Sequence, residues 1–278
     1  MVGGVTSAKD LRLAPIASRD AIQFVRTHHY SGKVANNSQL HIGAFLNDRL
    51  EGVMSFGPPL DKGKLLGLVD GTGWTQMMEL NRMVFTDALP RNSESRALGI
   101  AFRLLRRHAP QVKWVVSFAD ATQCGDGTIY RASGFVLTGV KKSANLALLP
   151  DGSTIHKMTL ESSPSAGRPE LGGRSYYDVT GGRYNFAAYC GFVGATVLPG
   201  YQMRYIKFVD PTWAPRLTVP IIPFGDIDRI GAGMYKGERV TRADRHTSQT
   251  CAGSIEADAP RTPAGRGRFD TDPGAPNQ

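Results

Sequence analysis

The stretch from Met77 to Phe135 constrains the fold more than any other part of this 278-residue chain. MMELNRMVFTD spaces its apolar residues as a strand does, and PRNSES supplies turn and helix-start residues. RALGIAFRLLRRHAP then repeats Leu98, Ala101, Leu104 and Leu105 at helical intervals. VKWVVSFAD follows as a near-continuous apolar run, the kind covered by helices on both faces of a parallel sheet, with Asp120 at its carboxyl end. Strand, helix and strand in that order commit the region to an α/β layer, where sites gather at the carboxyl ends of strands.

The start of the helix carries a candidate ligand seat. Arg96-x-x-Gly99-x-Ala101 brings small residues to the first turns, where backbone N–H groups lack intrahelical acceptors and the dipole is positive. With Ser93 and Ser95 beside it, this arrangement suits a pyrophosphate. The competing reading is a helix cap with a close-packing glycine. Arg82 lies within an apolar strand, where a charge calls for a carboxylate or phosphate partner; Glu79 and Asp120 are candidates. Asp120 suits a general base, an amine-orienting group or a metal ligand, or else it caps the turn ATQCGDG. His28, His29, Tyr30 and the distant His41 raise the question of metal, although adjacent helical histidines do not easily point at one ion.

R-x-x-G-x-A behind a strand, followed by a second strand and by Tyr130-Arg131-Ala132-Ser133-Gly134-Phe135, resembles the GCN5-related N-acetyltransferase (GNAT) superfamily. Four motifs narrow the resemblance: His29-Tyr30, Glu79-Leu80-Asn81-Arg82, Asn92-x-Glu94-Ser95, and Ser117-Phe118-Ala119-Asp120 followed by Tyr130. Between residues 20 and 160 they resemble, in the same order, the Mom-type DNA-modification family of phage Mu and its relatives. This implies a GNAT-like mixed central sheet flanked by helices. It also implies acetyl coenzyme A held by Ser93, Ser95, Arg96, Gly99 and Ala101, with Arg82, Ser95, Asp120 and Tyr130 mattering for activity. In the superfamily, a tyrosine at the place of Tyr130 often protonates the departing thiolate. Mom-type proteins are associated with iron, so His29, Tyr30 and Asp120 are implied as an Fe(II) ligand set. The implied reaction converts adenine in double-stranded DNA to an N6-carbamoylmethyl derivative that shields phage DNA from host restriction. Two other readings stay open: ordinary N-acetylation of a protein, tRNA or small amine, and an inactive DNA-binding protein of acetyltransferase fold. The acyl group is expected between two neighbouring strands, with Asp120 and Tyr130 on one side of the sheet.

Charge agrees with a partner that carries phosphates. The formal net charge is +9, and all of the excess lies ahead of Thr241. No run of about 18 apolar residues and no charged-then-apolar leader is present, so a cytoplasmic setting is expected, that of the bacterial host for a phage or prophage protein. Cys124, Cys190 and Cys251 are widely spaced and read as reduced thiols.

Along the rest of the chain, Ser18 caps a helix through AIQFVRTHHY that ends near Gly32, and LHIGAFLNDRLEGVMSFG forms a hairpin about Asn47-Asp48-Arg49. PPLDKGKLLGLVDGTGWTQ is a loop beside the acceptor, and VLTGVKK and STIHKMTLE are strands on either side of LPDGS. Three regions result: a GNAT-like catalytic core over 1–162, an extension packed on it over 163–240, and a disordered tail over 241–278. In the extension, Tyr176, Tyr184, Tyr201 and Tyr205 interleave with basic residues and serve either as stacking faces for nucleic acid or as core.

Overall fold

A computed structural model describes residues 7–29, 35–235 and 237–240. Tyr30, the expected helix end near Gly32 and the expected disorder of 241–278 lie outside the described residues.

The chain runs β1 (Arg12–Pro15), α1 (Ser18–His28), β2 (Leu40–Leu46), β3 (Arg49–Gly57), α2 (Lys62–Leu66), β4 (Met77–Phe85), α3 (Ser93–His108) and β5 (Trp114–Asp120). It continues through α4 (Ala121–Cys124), α5 (Thr128–Ala132), β6 (Val136–Leu148), β7 (Thr154–His156), α6 (Lys157–Glu161), α7 (Tyr176–Thr180), α8 (Phe186–Val193), β8 (Thr196–Phe208) and α9 (Asp226–Ile230). One eight-stranded sheet has the order β1-β2-β3-β4-β5-β8-β6-β7. Only β4 and β5 pair parallel within it; the other contacts are antiparallel. The strand-helix-strand reading of Met77 to Asp120 therefore describes the parallel centre of a mixed sheet.

Local chemistry explains the hairpin at its edge. Asn47 and Asp48 take φ of 49° and 61°, the left-handed pair that a two-residue turn between twisted strands needs, and Asn and Asp tolerate it best among residues with a Cβ. The α1 helix buries Ala21, Phe24 and Val25 against Val53 and Val84, as its periodicity predicts. Ser18, however, is the first helical residue and not the cap; Ala17 holds that place without a side-chain bond.

Two core layers follow from strand alternation. On one face Leu80, Phe85, Val115 and Ala119 pack under Leu98, Ala101 and Leu105 of α3. On the other, Met77, Trp114, Val116 and Ile206 are covered by Leu68, Val69 and Trp213 from the loops after β3 and β8.

The strand YQMRYIKFVD, expected in an extension packed on a finished core, instead forms most of β8 inside the sheet. It pairs with β5 from Trp114↔Phe208 to Asp120↔Gln202, and with β6 from Val136↔Ile206 onward. Tyr205 has no exposed surface and packs in the core, so the core reading holds for it. What lies outside the sheet is the excursion from β7 to α8, which builds its own small core from Leu160, Leu171, Tyr176, Phe186 and Tyr189. STIHKMTLE, expected as one strand, divides: Thr154–His156 is strand and Lys157–Glu161 is helix, with the His156 ring accepting from the Met158 amide at the junction.

Gly52 of β3 pairs with Phe85 of β4, whose ring lies over the space a side chain would fill. Gly52→Ala should lower stability by about 1–3 kcal/mol through overpacking, read as a fall in Tm of several degrees by calorimetry.

Candidate active site

The parallel ladder is short. β4 and β5 pair from Met77↔Trp114 to Glu79↔Val116, yet β4 runs on to Phe85 and β5 to Asp120. Past that point the strands part and leave a gap in the sheet. A bulge contributes: Ser55 of β3 pairs with Arg82 and Phe56 with Leu80, so Asn81 is the extra residue that turns β4. β5 is meanwhile held straight by β8 as far as Asp120. At the fork, the buried Ser117 donates through Oγ to the Leu80 carbonyl at 3.2 Å and is hydrogen-bonded to the Tyr130 hydroxyl at 2.9 Å. The Tyr130 ring is fixed between Phe135 and Tyr205, with centroids 5.1 and 5.2 Å away.

On the α3 face, the start of that helix opens a cavity of about 730 Å³, lined by Ser95, Gly99 and the basic side chains of Lys9, Arg91, Arg96 and Arg103. Asn92 enters the helix in the left-handed conformation, φ 68°, and its carbonyl accepts from the Arg96 amide at 3.1 Å. The amides of Glu94 and Ser95 belong to the first turn, which has no intrahelical acceptor for them. A Cβ added at Gly99 would meet nothing closer than Arg103 Nη1 at 3.9 Å, so internal packing does not require the glycine. Two expected contributors do not line this cavity. Ser93 is buried, with both its amide and its hydroxyl turned to the Pro90 carbonyl, and Ala101 is buried in the core. The periodicity that put Ala101 on the apolar face of α3 outweighs its place in the motif.

Asp120 and Tyr130 do not share a side of the sheet. Alternation along β5 puts Asp120 with Trp114 and Val116, away from α3, whereas Tyr130 packs into the α3-side core. Asp120 Oδ1 accepts from the Thr122 amide at 2.9 Å, so the carboxylate does cap the following turn. Its Oδ2 lies 3.7 Å from Nε2 of His156, a residue the sequence reading assigned only to a strand. Burial lowers the His156 pKa; Asp120 opposes this, Arg82 reinforces it and Glu161 opposes it.

Arg82 ties this face together. Its guanidinium donates to the Asn81 carbonyl at 2.7 Å, and its field reaches Glu79, His29 and His156. Burial pushes Glu79 up to about 7, with Arg82 pulling the other way. His29, directly after α1, is lowered to about 3 by burial and then by Arg82. Glu79, known from the sequence only as a partner for Arg82, is thus a half-buried acid at the last paired position before the gap.

The expected Fe(II) set is not assembled by the described residues. Tyr30 lies outside them, a guanidinium beside His29 opposes a dication, and Asp120 is engaged by Thr122 and His156. No three His, Cys, Asp or Glu side chains gather among the described residues as a metal centre needs. His28 lies against Phe24 and His41 bonds Ser55.

The raised Glu79 pKa has a stability consequence with a definite sign. Between 4.5, its ordinary value, and about 7, the native carboxyl keeps a proton that the unfolded chain has released. This group therefore lowers stability as pH rises through that window. Glu79→Gln should flatten the dependence, read as a smaller change in urea midpoint across the window than in the wild type.

The profile of the Mom protein family matches residues 10–226. The methylcarbamoylase Mom of Escherichia phage Mu is 39% identical over 162 residues, covering 58% of this chain and 66% of the relative, just under two thirds of its length. Among solved structures, the ribosomal-protein-S18-alanine N-acetyltransferase of Escherichia coli overlaps 72% of this chain and 94% of its own at 9% identity and TM-score 0.38. A spermidine/spermine N-acetyltransferase of Vibrio cholerae overlaps 74% and 96% at 8% identity and TM-score 0.38. Those overlaps are loose, and the assignment rests on the sequence match. No helix among the described residues is long and apolar enough to cross a membrane. With the family profile spanning most of the sheet and every element around the gap between β4 and β5, the chain belongs to the Mom protein family.

Proposed function

We propose that this protein is a transferase that modifies adenine in double-stranded DNA to the N6-carbamoylmethyl derivative using acetyl coenzyme A, and so shields phage DNA from host restriction. The observation that carries the reading is the gap between β4 and β5, with a basic cavity on one face and a buried cluster of ionisable groups on the other. Likeness to the phage Mu methylcarbamoylase supports the product class.

The coenzyme would supply the two carbons of the carbamoylmethyl group as a thioester. Because N6 joins the methyl carbon and the carbonyl ends as an amide, the reaction also consumes a two-electron oxidant and an ammonia-level nitrogen donor, and releases the coenzyme as its free thiol. The first-turn amides of α3, with Ser95, Arg96 and Lys9, would take its phosphates, since aligned N–H groups and basic side chains favour dianionic oxygens. Gly99 leaves the cavity wall open to a close approach. Tyr130, held by its hydrogen bond to Ser117, would deliver its proton on the α3 side, where thiolate charge develops. Asp120 would hold the exocyclic amine from the opposite face and accept its proton. Arg82, half-buried behind the bulge, would fix polar edges of the acceptor. Placing acid and base on opposite faces suits a reaction whose two partners enter the gap from opposite sides. An adenine amine inside a duplex cannot reach such a gap, so the base must leave the stack, with the net charge of +9 favouring the phosphate backbone.

Nucleosides from the DNA of cells expressing the wild-type protein should contain the modified adenine by mass spectrometry. Asp120→Ala should reduce it by at least about 100-fold. Acetylation of free amines with no change in DNA would overturn the reading in favour of an ordinary N-acetyltransferase. Arg96→Glu should weaken coenzyme binding about tenfold or more by calorimetry, a loss of about 1.4 kcal/mol or more; unchanged affinity would remove the cavity from the argument.

A further inference from the structure

We infer that His156 is the positioning residue for Asp120, a role that rests on the adenine-transfer reading only for its consequence and not for its geometry. The Met158 amide donates to His156 Nδ1 at 3.1 Å, and a ring nitrogen that accepts carries no proton. The proton of the neutral ring therefore sits on Nε2, the atom facing Asp120 Oδ2 at 3.7 Å. A small rotation closes that separation to a hydrogen bond, as contacts in ligand-free sites commonly tighten when the acceptor arrives.

Asp120 is then held at both oxygens, by the Thr122 amide on Oδ1 and by His156 on Oδ2. Each oxygen keeps a further lone pair, and the two are presented in one fixed plane. Orientation of this kind is what a positioned carboxylate needs in order to hold an amine at a set angle, and misplacement by about 1 Å costs about 100-fold in rate.

The charged groups facing His156 are Asp120 at the start of α4, Arg82 from β4 and Glu161 from α6. Burial and Arg82 favour the neutral ring, in keeping with the tautomer the Met158 amide selects.

Gln at this position offers an amide N–H to Asp120 and an oxygen to Met158. His156→Gln should keep the modification rate within about tenfold of wild type. His156→Ala should lose about 100-fold in kcat with the KM for acetyl coenzyme A unchanged, because the coenzyme cavity lies on the other face. A wild-type rate in His156→Ala, or a loss in His156→Gln as large as in His156→Ala, would overturn the assignment.

A second measurement needs no reaction. In ¹⁵N spectra of histidine-labelled protein, His156, identified by its disappearance in His156→Gln, should show the Nε2–H tautomer. The Nδ1–H tautomer refutes the pair whatever the protein catalyses. A pair that passes this test in a protein leaving adenine unmodified would sink the proposed function and leave the pairing intact.

Discussion

Everything at the site depends on two parallel strands that stop sharing hydrogen bonds after Glu79 and Val116. Backbone groups past a fork must find other partners or face a ligand, because an unpaired buried N–H or C=O is costly. β5 meets that demand on one side through β8, and β4 meets it through β3 and the bulge at Asn81. Along β4 at the gap, side chains take over: the Leu80 carbonyl accepts from Ser117 and the Asn81 carbonyl from Arg82. Ser117 closes the inner end by contacting both Leu80 and Tyr130, so the gap has a floor of fixed hydroxyls.

From this fork the two faces take different characters. The α3 side carries Lys9, Arg91, Arg96 and Arg103 around an open cavity, a field for phosphates. The other side carries Glu79, Arg82, Asp120, His29 and His156, where Arg82 works to lower the pKa of Glu79, His29 and His156 and Asp120 to raise that of His156.

Much of this was legible in the residues. Strand, turn, helix and strand from Met77 to Asp120 were readable because apolar spacing there is regular, and Ser95, Arg96 and Gly99 because small and basic residues open the helix. Ala101 was misread because a motif position and a core position coincide, and the burial of four neighbours on α3 decides between them. His156 was not legible: it meets Asp120 only because β7 returns beside β6 and β8 lies between β6 and β5, a pairing no local spacing encodes. The opposite placement of Asp120 and Tyr130 could have been counted from the period of two along β5, which separates Ser117 from Asp120.

The place of β8 also governs the order in which the molecule can be completed. β5 and β6 are neighbours in sequence but not in the sheet, so each waits with an unsatisfied edge until residues 196–208 arrive between them. On the ribosome, the chain therefore emerges with its two future neighbours held apart and with adhesive edges bare until the excursion of α6 to α8 has been synthesised. Closure over so long a separation is slow, and it makes the wait for β8 the interval in which a nascent chain is open to aggregation or to capture by a chaperone.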